Sequence, residues 1–171
     1  MLKEIKERRS CRSYDSKIPS YEKINEVINA GLYAASARGT QLGIVIAITN
    51  KVIRDKLVKI NARIMERDDF DPFYGAPVIL LVAVKKSHNG VYDGSCMIEN
   101  MLIEATNQGL GSCWIHRAKE ELEMDEVKEL FKDLNIDLDE YEGIGHVALG
   151  YRLNKDIPLK EIKENRVFWV K

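Results

Sequence analysis

Three cysteines, no charge excess and no long apolar run are what this 171-residue sequence offers least of, and each scarcity closes off a class of protein. Cys11, Cys96 and Cys113 are an odd number with no CxxC spacing. That argues against a disulfide scaffold and points to reduced thiols in an intracellular compartment. The 26 basic and 27 acidic side chains leave a net charge of −1, whereas a dedicated nucleic-acid protein carries a basic excess. Nowhere do the roughly 18 consecutive apolar residues of a membrane span occur. Charged residues follow Leu2 where a signal peptide would be apolar. A cytoplasmic protein that takes neither nucleic acid nor membrane as its partner is the expectation. Internal repeats and low-complexity segments are also missing.

Several chemical signatures are absent too. No GxGxxG follows the first strand, and no GxxxxGK[ST] occurs anywhere, so the usual dinucleotide and triphosphate cradles are missing. No GxSxG elbow supports a serine hydrolase. Cys113 and His116 lie three apart, but two ligands do not make a zinc site, and His88 and His146 are distant in sequence. No metal is expected.

What is present describes one domain over residues 1–171, with 45% hydrophobic and 31% charged residues. Leu2 and Ile5 suggest a short helix before Arg8. Ser20 can cap a helix carrying Ile24, Val27, Ile28 and Leu32 on one face. The β-branched run Gly43 to Ile48 reads as a buried strand. A helix follows from about Val52 to Glu66, then a loop from Asp68 to Gly75 holding three aromatics. Val78 to Val84 is a second buried strand. A long helix starts near Asp93, with Met97, Met101 and Ala105 in one row, and Gly109 ends it. Ser112 to Ile115 is a short strand, and Glu120 to Leu134 one amphipathic helix. Gly143 to Tyr151 is another strand, and Arg166 to Val170 a last strand-like piece. Strands apolar on both faces need cover on both, so the alternation predicts helices on both faces of a mixed sheet.

The densest chemistry is Arg8-Arg9-Ser10-Cys11-Arg12, just before Tyr14. An arginine fork matches phosphate oxygens two at a time, and Ser10 adds a hydroxyl donor. By itself such a cluster fits a bound phosphate, a nucleic-acid contact or a solvated basic surface. For other candidates the bland reading prevails. Cys113 in an apolar strand reads as buried and inert, Trp114 as core, and Glu99 and Glu104 as solvent-face charges or partners of nearby cations.

In order along the chain, these segments resemble the FMN-dependent nitroreductase family, as a compact branch. That family opens with Arg-Arg-Ser-x-Arg and an aromatic, here Arg8 to Tyr14. An Ala-Pro-Ser-x-x-Asn-x-Gln-Pro-Trp segment follows, here Ala34 to Gly43, with Ala35, Gly39 and Leu42-Gly43 as departures. Then come an Ala-Pro-Val-Ile strand (Ala76 to Ile79), an Asp-Gly helix from Asp93, Gly109 to Ile115, Gly150-Tyr151, and a basic residue near the C-terminus.

The resemblance implies an α+β fold, a three-layer α/β/α sandwich with a mixed, mostly antiparallel central sheet. It implies FMN, with phosphate and ribityl chain held by Arg8, Arg9, Ser10 and Arg12 from one end and Lys163 or Arg166 from the other. Ser36, Arg38 and Gln41 match a turn that lies against the flavin. Gln41 both donates and accepts, which suits the pyrimidine edge. Trp114, Ile115 and His116 match the segment beside the isoalloxazine, where a backbone amide does the tuning. No catalytic side chain is implied, because the flavin carries the chemistry. NADH or NADPH would reduce it, and a nitro compound, quinone or similar small molecule would reoxidise it in a ping-pong cycle. The active unit would be a homodimer with FMN at its interface, the Met-rich helix from Asp93 being the candidate contact and the Phe70 to Tyr74 loop a cover for the substrate side. The alternative is a flavin-binding or sensing protein of the same fold without significant turnover.

Overall fold

Seven apolar residues in a row, Val78 to Val84, are fully buried because their strand lies inside a sheet covered on both faces. A computed structural model of the chain describes residues 1–154 and 158–171. Its helices are α1 (Lys3–Glu7), α2 (Tyr21–Leu32), α3 (Lys51–Ile64), α4 (Gly90–Asn107), α5 (Ala118–Leu122) and α6 (Asp125–Leu130). Its strands are β1 (Gly43–Ile48), β2 (Val78–Lys85), β3 (Gly111–Ile115) and β4 (Tyr141–Gly150). The strand order is β1-β2-β4-β3 and all three pairings are antiparallel. The parallel component of the expected mixed sheet is a bridge between Ser10 and Ser112.

Alternation along β2 sorts the core into two layers. Ile79, Leu81 and Ala83 join Leu57 and Ile60 of α3, Leu122 of α5, Val127 of α6 and the loop residue Phe73. Val78, Leu80 and Val82 join Ile24 and Val27 of α2 with Met97, Ile98, Met101 and Leu102 of α4. Each large side chain buried this fully contributes about 1.5–3 kcal/mol. Helix starts are capped as the sequence suggests: Ser20 accepts from Lys23 N, and Asn50 accepts from Val52 N at 2.9 Å. Gly109, with φ 72°, follows the C-cap of α4 in the left-handed conformation.

Four expectations need correction. The Gly43–Ile48 strand is an edge strand rather than a buried one, with Ala47 exposed and Ile44 and Val45 half-buried. The single helix expected over Glu120 to Leu134 is broken, because Met124 adopts an extended conformation (φ −91°, ψ 128°) between α5 and α6. The strand expected over Arg166 to Val170 does not form; no described strand pairs with that segment, which is irregular and exposed. The Met row of α4 is not a surface, since Met97 and Met101 are buried against α2 and the sheet. Among the described residues, no helix is long and apolar enough to cross a membrane.

Candidate functional site

The free edge of β3 is covered by the N-terminal arm, and this is what positions the arginine cluster. Cys11 N donates to Ser112 O at 2.8 Å, and Tyr14 bridges to Arg152 beyond β4. Cys11 and Tyr14 are buried anchors. Burial pushes the Tyr14 phenol well above its ordinary value, so it stays protonated, with its hydroxyl 3.0 Å from Cys11 O and 3.2 Å from Ala148 O.

An extended arm alternates its side chains, and the arginines divide accordingly. Arg8, Ser10 and Arg12 alternate along one side of the arm, in the neighbourhood of Cys113 in β3. Burial pushes the Cys113 thiol up, while its neighbours Arg12, Ser10 and Arg8 pull it back. Arg12 is held more firmly charged by the hydroxyl of Tyr74, whose ring centroid lies 5.9 Å from the guanidinium. The aromatic loop therefore contributes Tyr74 to this cluster, while Phe73 belongs to the core.

Arg9 faces the other way. It donates from Nε to Pro158 O at 3.0 Å, and from one terminal nitrogen to Lys6 O at 2.8 Å and Arg8 O at 2.6 Å. Arg152 returns a bond to Arg9 O at 2.9 Å. The two ends of the chain thus meet, across a cleft of about 390 Å³ lined by Lys6, Arg8, Arg9, Glu99, Lys160 and Arg166, with Ile5, Leu159 and Ile162 as an apolar wall. Arg166 lines this cleft and Lys163 does not. Glu99, 3.5 Å from Arg8, supplies a carboxylate to an otherwise cationic wall. Several converging cations with a hydroxyl beside them suit an anion of more than one charge.

The turn after α2 forms a second concavity. Residues 37–39 make a 3-10 turn in which Arg38, Gly39 and then Gln41 all have left-handed φ values of 56°, 66° and 50°. Ser36 Oγ accepts from Gln41 N at 3.1 Å, and Asp93 at the start of α4 accepts from Ala37 N at 3.0 Å. Ser36 and Gln41 line a small cavity of about 190 Å³ with Gly43, Asp93 and Met97, whereas Arg38 points to solvent. Asp93 was visible in the sequence only as a helix start, and its burial here comes from the turn folding over it.

The third part is the end of β3. Trp114 is half-buried among the α2/α4 core, its indole tilted by 32° to the ring of exposed His116 at 6.0 Å. Ile115 is buried on the opposite face. The indole Nε1 and the Ser112 hydroxyl have no hydrogen-bond partner among the described residues. Helix α4 links all three parts, through Asp93 at the turn, Gly94 against Ile144 below Trp114, and Glu99 at the arginine cleft.

Curated protein sequences yield no match. In solved structures, a nitroreductase with bound FMN from Bacteroides fragilis superposes with a TM-score of 0.88 at 28% identity, over 98% of this chain and 97% of that one. A nitroreductase with bound FMN from Desulfitobacterium hafniense gives 0.84 at 23% identity, over 100% of both chains. An FMN-dependent nitroreductase from Clostridium difficile gives 0.80 at 21% identity, over 99% of this chain and 98% of that one, and the latter two speak to the fold alone. The sequence profile of the nitroreductase family matches residues 5–151, which span the N-terminal arm, the turn after α2 and all four strands. The chain belongs to the nitroreductase family.

Proposed function

We propose that this protein is an FMN-dependent NAD(P)H oxidoreductase that reduces nitro compounds, quinones or similar oxidised small molecules. The observation that carries the reading is the meeting of the chain's two ends, Arg8 and Arg9 with Arg166, on one cationic cleft, with Ser10 and Arg12 next along the same arm. The donor set fits FMN. A phosphate carrying nearly two negative charges is matched by the guanidinium groups of Arg8 and Arg12, which here face Glu99 and Tyr74, together with the Ser10 hydroxyl and the charge of Arg166. Arg9 has its donors on backbone carbonyls and braces the clamp, and Lys163 stands outside the cleft wall. Gln41 and Ser36 offer polar groups to the pyrimidine edge, while Arg38 stands outside the cavity wall. The backbone from Trp114 to His116 is the segment that would face the ring edge, its turn at His116 being exposed.

When bound, FMN would supply two-electron chemistry, accepting hydride from NADH or NADPH and passing electrons to the acceptor. The protein's part is to hold the phosphate, orient the ring and exclude water; no side chain need act as acid or base. Protein purified with excess FMN and desalted is expected to be yellow and to bleach on addition of NADH or NADPH. A colourless protein contradicts the reading. A yellow protein that neither nucleotide bleaches would make it a flavin-binding or sensing protein instead.

A homodimer is the proposed active unit. Phe168, Trp169 and Val170 are 85%, 81% and 101% exposed at the end of the C-terminal arm, and β1 presents a strand edge that is unpaired among the described residues. A second copy of the chain would cover both. Truncation after residue 160 is expected to convert a dimer to a monomer by light scattering and to lower the retained FMN. A full-length chain that is already monomeric would refute the assembly.

A further inference from the structure

Three polar side chains with 0% exposure lie outside the proposed cofactor contacts: Asn61 on α3, Glu121 on α5 and His146 on β4. Asn61 Nδ2 donates to Glu121 Oε1 at 2.6 Å, and His146 Nε2 lies 2.8 Å from Glu121 Oε2. The Asn61 amide also donates to the backbone carbonyl of His116 at 2.9 Å. The network therefore ends on the turn between β3 and α5.

Stability alone gives no reason for such a network, because apolar residues of similar volume in place of buried polar or ionic groups are often neutral or stabilising. Local geometry does give one. Arg117 has φ 82°, a left-handed conformation that costs a non-glycine residue roughly 1–3 kcal/mol. Its own side chain turns outward to Glu120 at 2.8 Å and does not hold the turn. The support comes from within. The Asn61 amide grips the carbonyl just before Arg117, and Glu121 ties the first turn of α5 to β4 through His146.

The facing part of β4 is shaped to receive this turn. Its register steps from Val82↔Gly145 to Ala83↔Gly143, so Ile144 is bulged. A Cβ on Gly143 would stand 2.1 Å from Ala118 O, and one on Gly145 would stand 2.3 Å from the indole Nε1 of Trp114. The backbone from Trp114 to Ala118 is thus seated directly on strand backbone and pinned by the buried triad.

We infer that Asn61, Glu121 and His146 are positioning residues for the flavin ring, acting through the peptide groups of residues 115–117 without touching the cofactor. The inference rests on the FMN reading above. Fixed peptide dipoles aimed at the ring edge set how much reduced character the site stabilises, and a turn free to relax sets it less well. Glu121 and Asn61 decide that orientation because they are the groups that grip the turn from the protein interior.

The test begins with the flavin-free protein. In Asn61→Leu, hydrogen exchange in the peptide spanning residues 113–121 is expected to rise about tenfold, with α2 and β1 unchanged. Asn61→Ala removes the same donor without a branched side chain and serves if the leucine variant does not fold. Loaded with FMN, either variant is expected to shift both the visible absorption maximum and the midpoint potential of the flavin. Glu121→Gln, which retains an acceptor for Asn61, should leave exchange at 113–121 nearer the wild-type level than Asn61→Leu does. Unchanged exchange at 113–121 overturns the grip on the turn. Raised exchange with an unchanged spectrum and potential overturns the positioning role. Wild-type protein that holds no FMN overturns the reading on which that role depends.

Discussion

Replacing both Arg8 and Arg12 by alanine should raise the dissociation constant for FMN by about a hundredfold while leaving the fold intact. Each guanidinium would lose a charge-assisted hydrogen bond to phosphate, worth roughly 1.5 kcal/mol at the low end of the usual range. The low end applies because Arg12 is exposed and the Arg8 side chain retains 24% of its exposure, so solvent screens both. Two such losses sum to about 3 kcal/mol, or two decades in affinity. Neither side chain is part of the core, so the thermal midpoint of the flavin-free protein should not move appreciably. Riboflavin is the control, since it carries the same ring without the phosphate. Its affinity should be nearly the same in wild type and double variant. Flavin fluorescence titrations measure both, and equal losses for FMN and riboflavin would contradict the placement of the phosphate at these residues.

The second large effect is structural. In Gly143→Ala the new methyl carbon would lie 2.1 Å from Ala118 O, 2.3 Å from its carbonyl carbon and 2.8 Å from Lys119 N. All three are backbone atoms, so no side chain can rotate aside. β4 is held between β2 and β3, which leaves α5 to move, and Glu121 would be carried away from His146 with it. A loss of about 3 kcal/mol or more is expected, by overpacking and by breaking a buried polar network. At about 2–4 °C per kcal/mol for a chain of this size, the thermal midpoint should fall by roughly 6–12 °C. Gly39→Ala is the contrast: φ is 66° there, but nothing lies within 4 Å of the added carbon. Only conformational strain of about 1 kcal/mol is then added. Equal midpoints for the two variants would mean that the strand and helix are not in the contact described.

Those elements whose cause is local were legible in the sequence. Seven apolar residues from Val78 to Val84 admit little besides a strand covered twice, and Ser20 ahead of Ile24, Val27 and Ile28 admits little besides a capped amphipathic helix. The break at Met124 was hidden because no proline or glycine marks it; the residue is extended while Leu122 before it and Val127 after it both enter the same core layer. The tail from Arg166 to Val170 has strand-like composition, yet a strand exists only where another backbone accepts its hydrogen bonds.

The site divides in the same manner. The alternation of Arg8, Ser10 and Arg12 was written in the sequence, but which arginine would be occupied by carbonyls depended on Pro158 arriving at Arg9. Glu121 looked like one more acidic residue at a helix start, and only His146, brought up on β4 from 25 residues away, accounts for its burial. Tyr74 could be placed in a loop with no hint of its partner Arg12, since that contact is made across the fold.

The bonds that tie the N-terminal arm to the far end of the chain also govern when this protein can finish folding. Arg9 reaches Pro158 across 149 residues, and Arg152 reaches Arg9 across 143. Contacts of such long range close slowly, because the ordering of everything between them must come first. While the chain is being synthesised, the arm that emerges first has no β3 edge to lie on and no tail to meet. It stays untied until the last strand has joined the sheet. The cationic cleft is therefore among the last features to form, and cofactor loading belongs to the finished polypeptide rather than to the growing one.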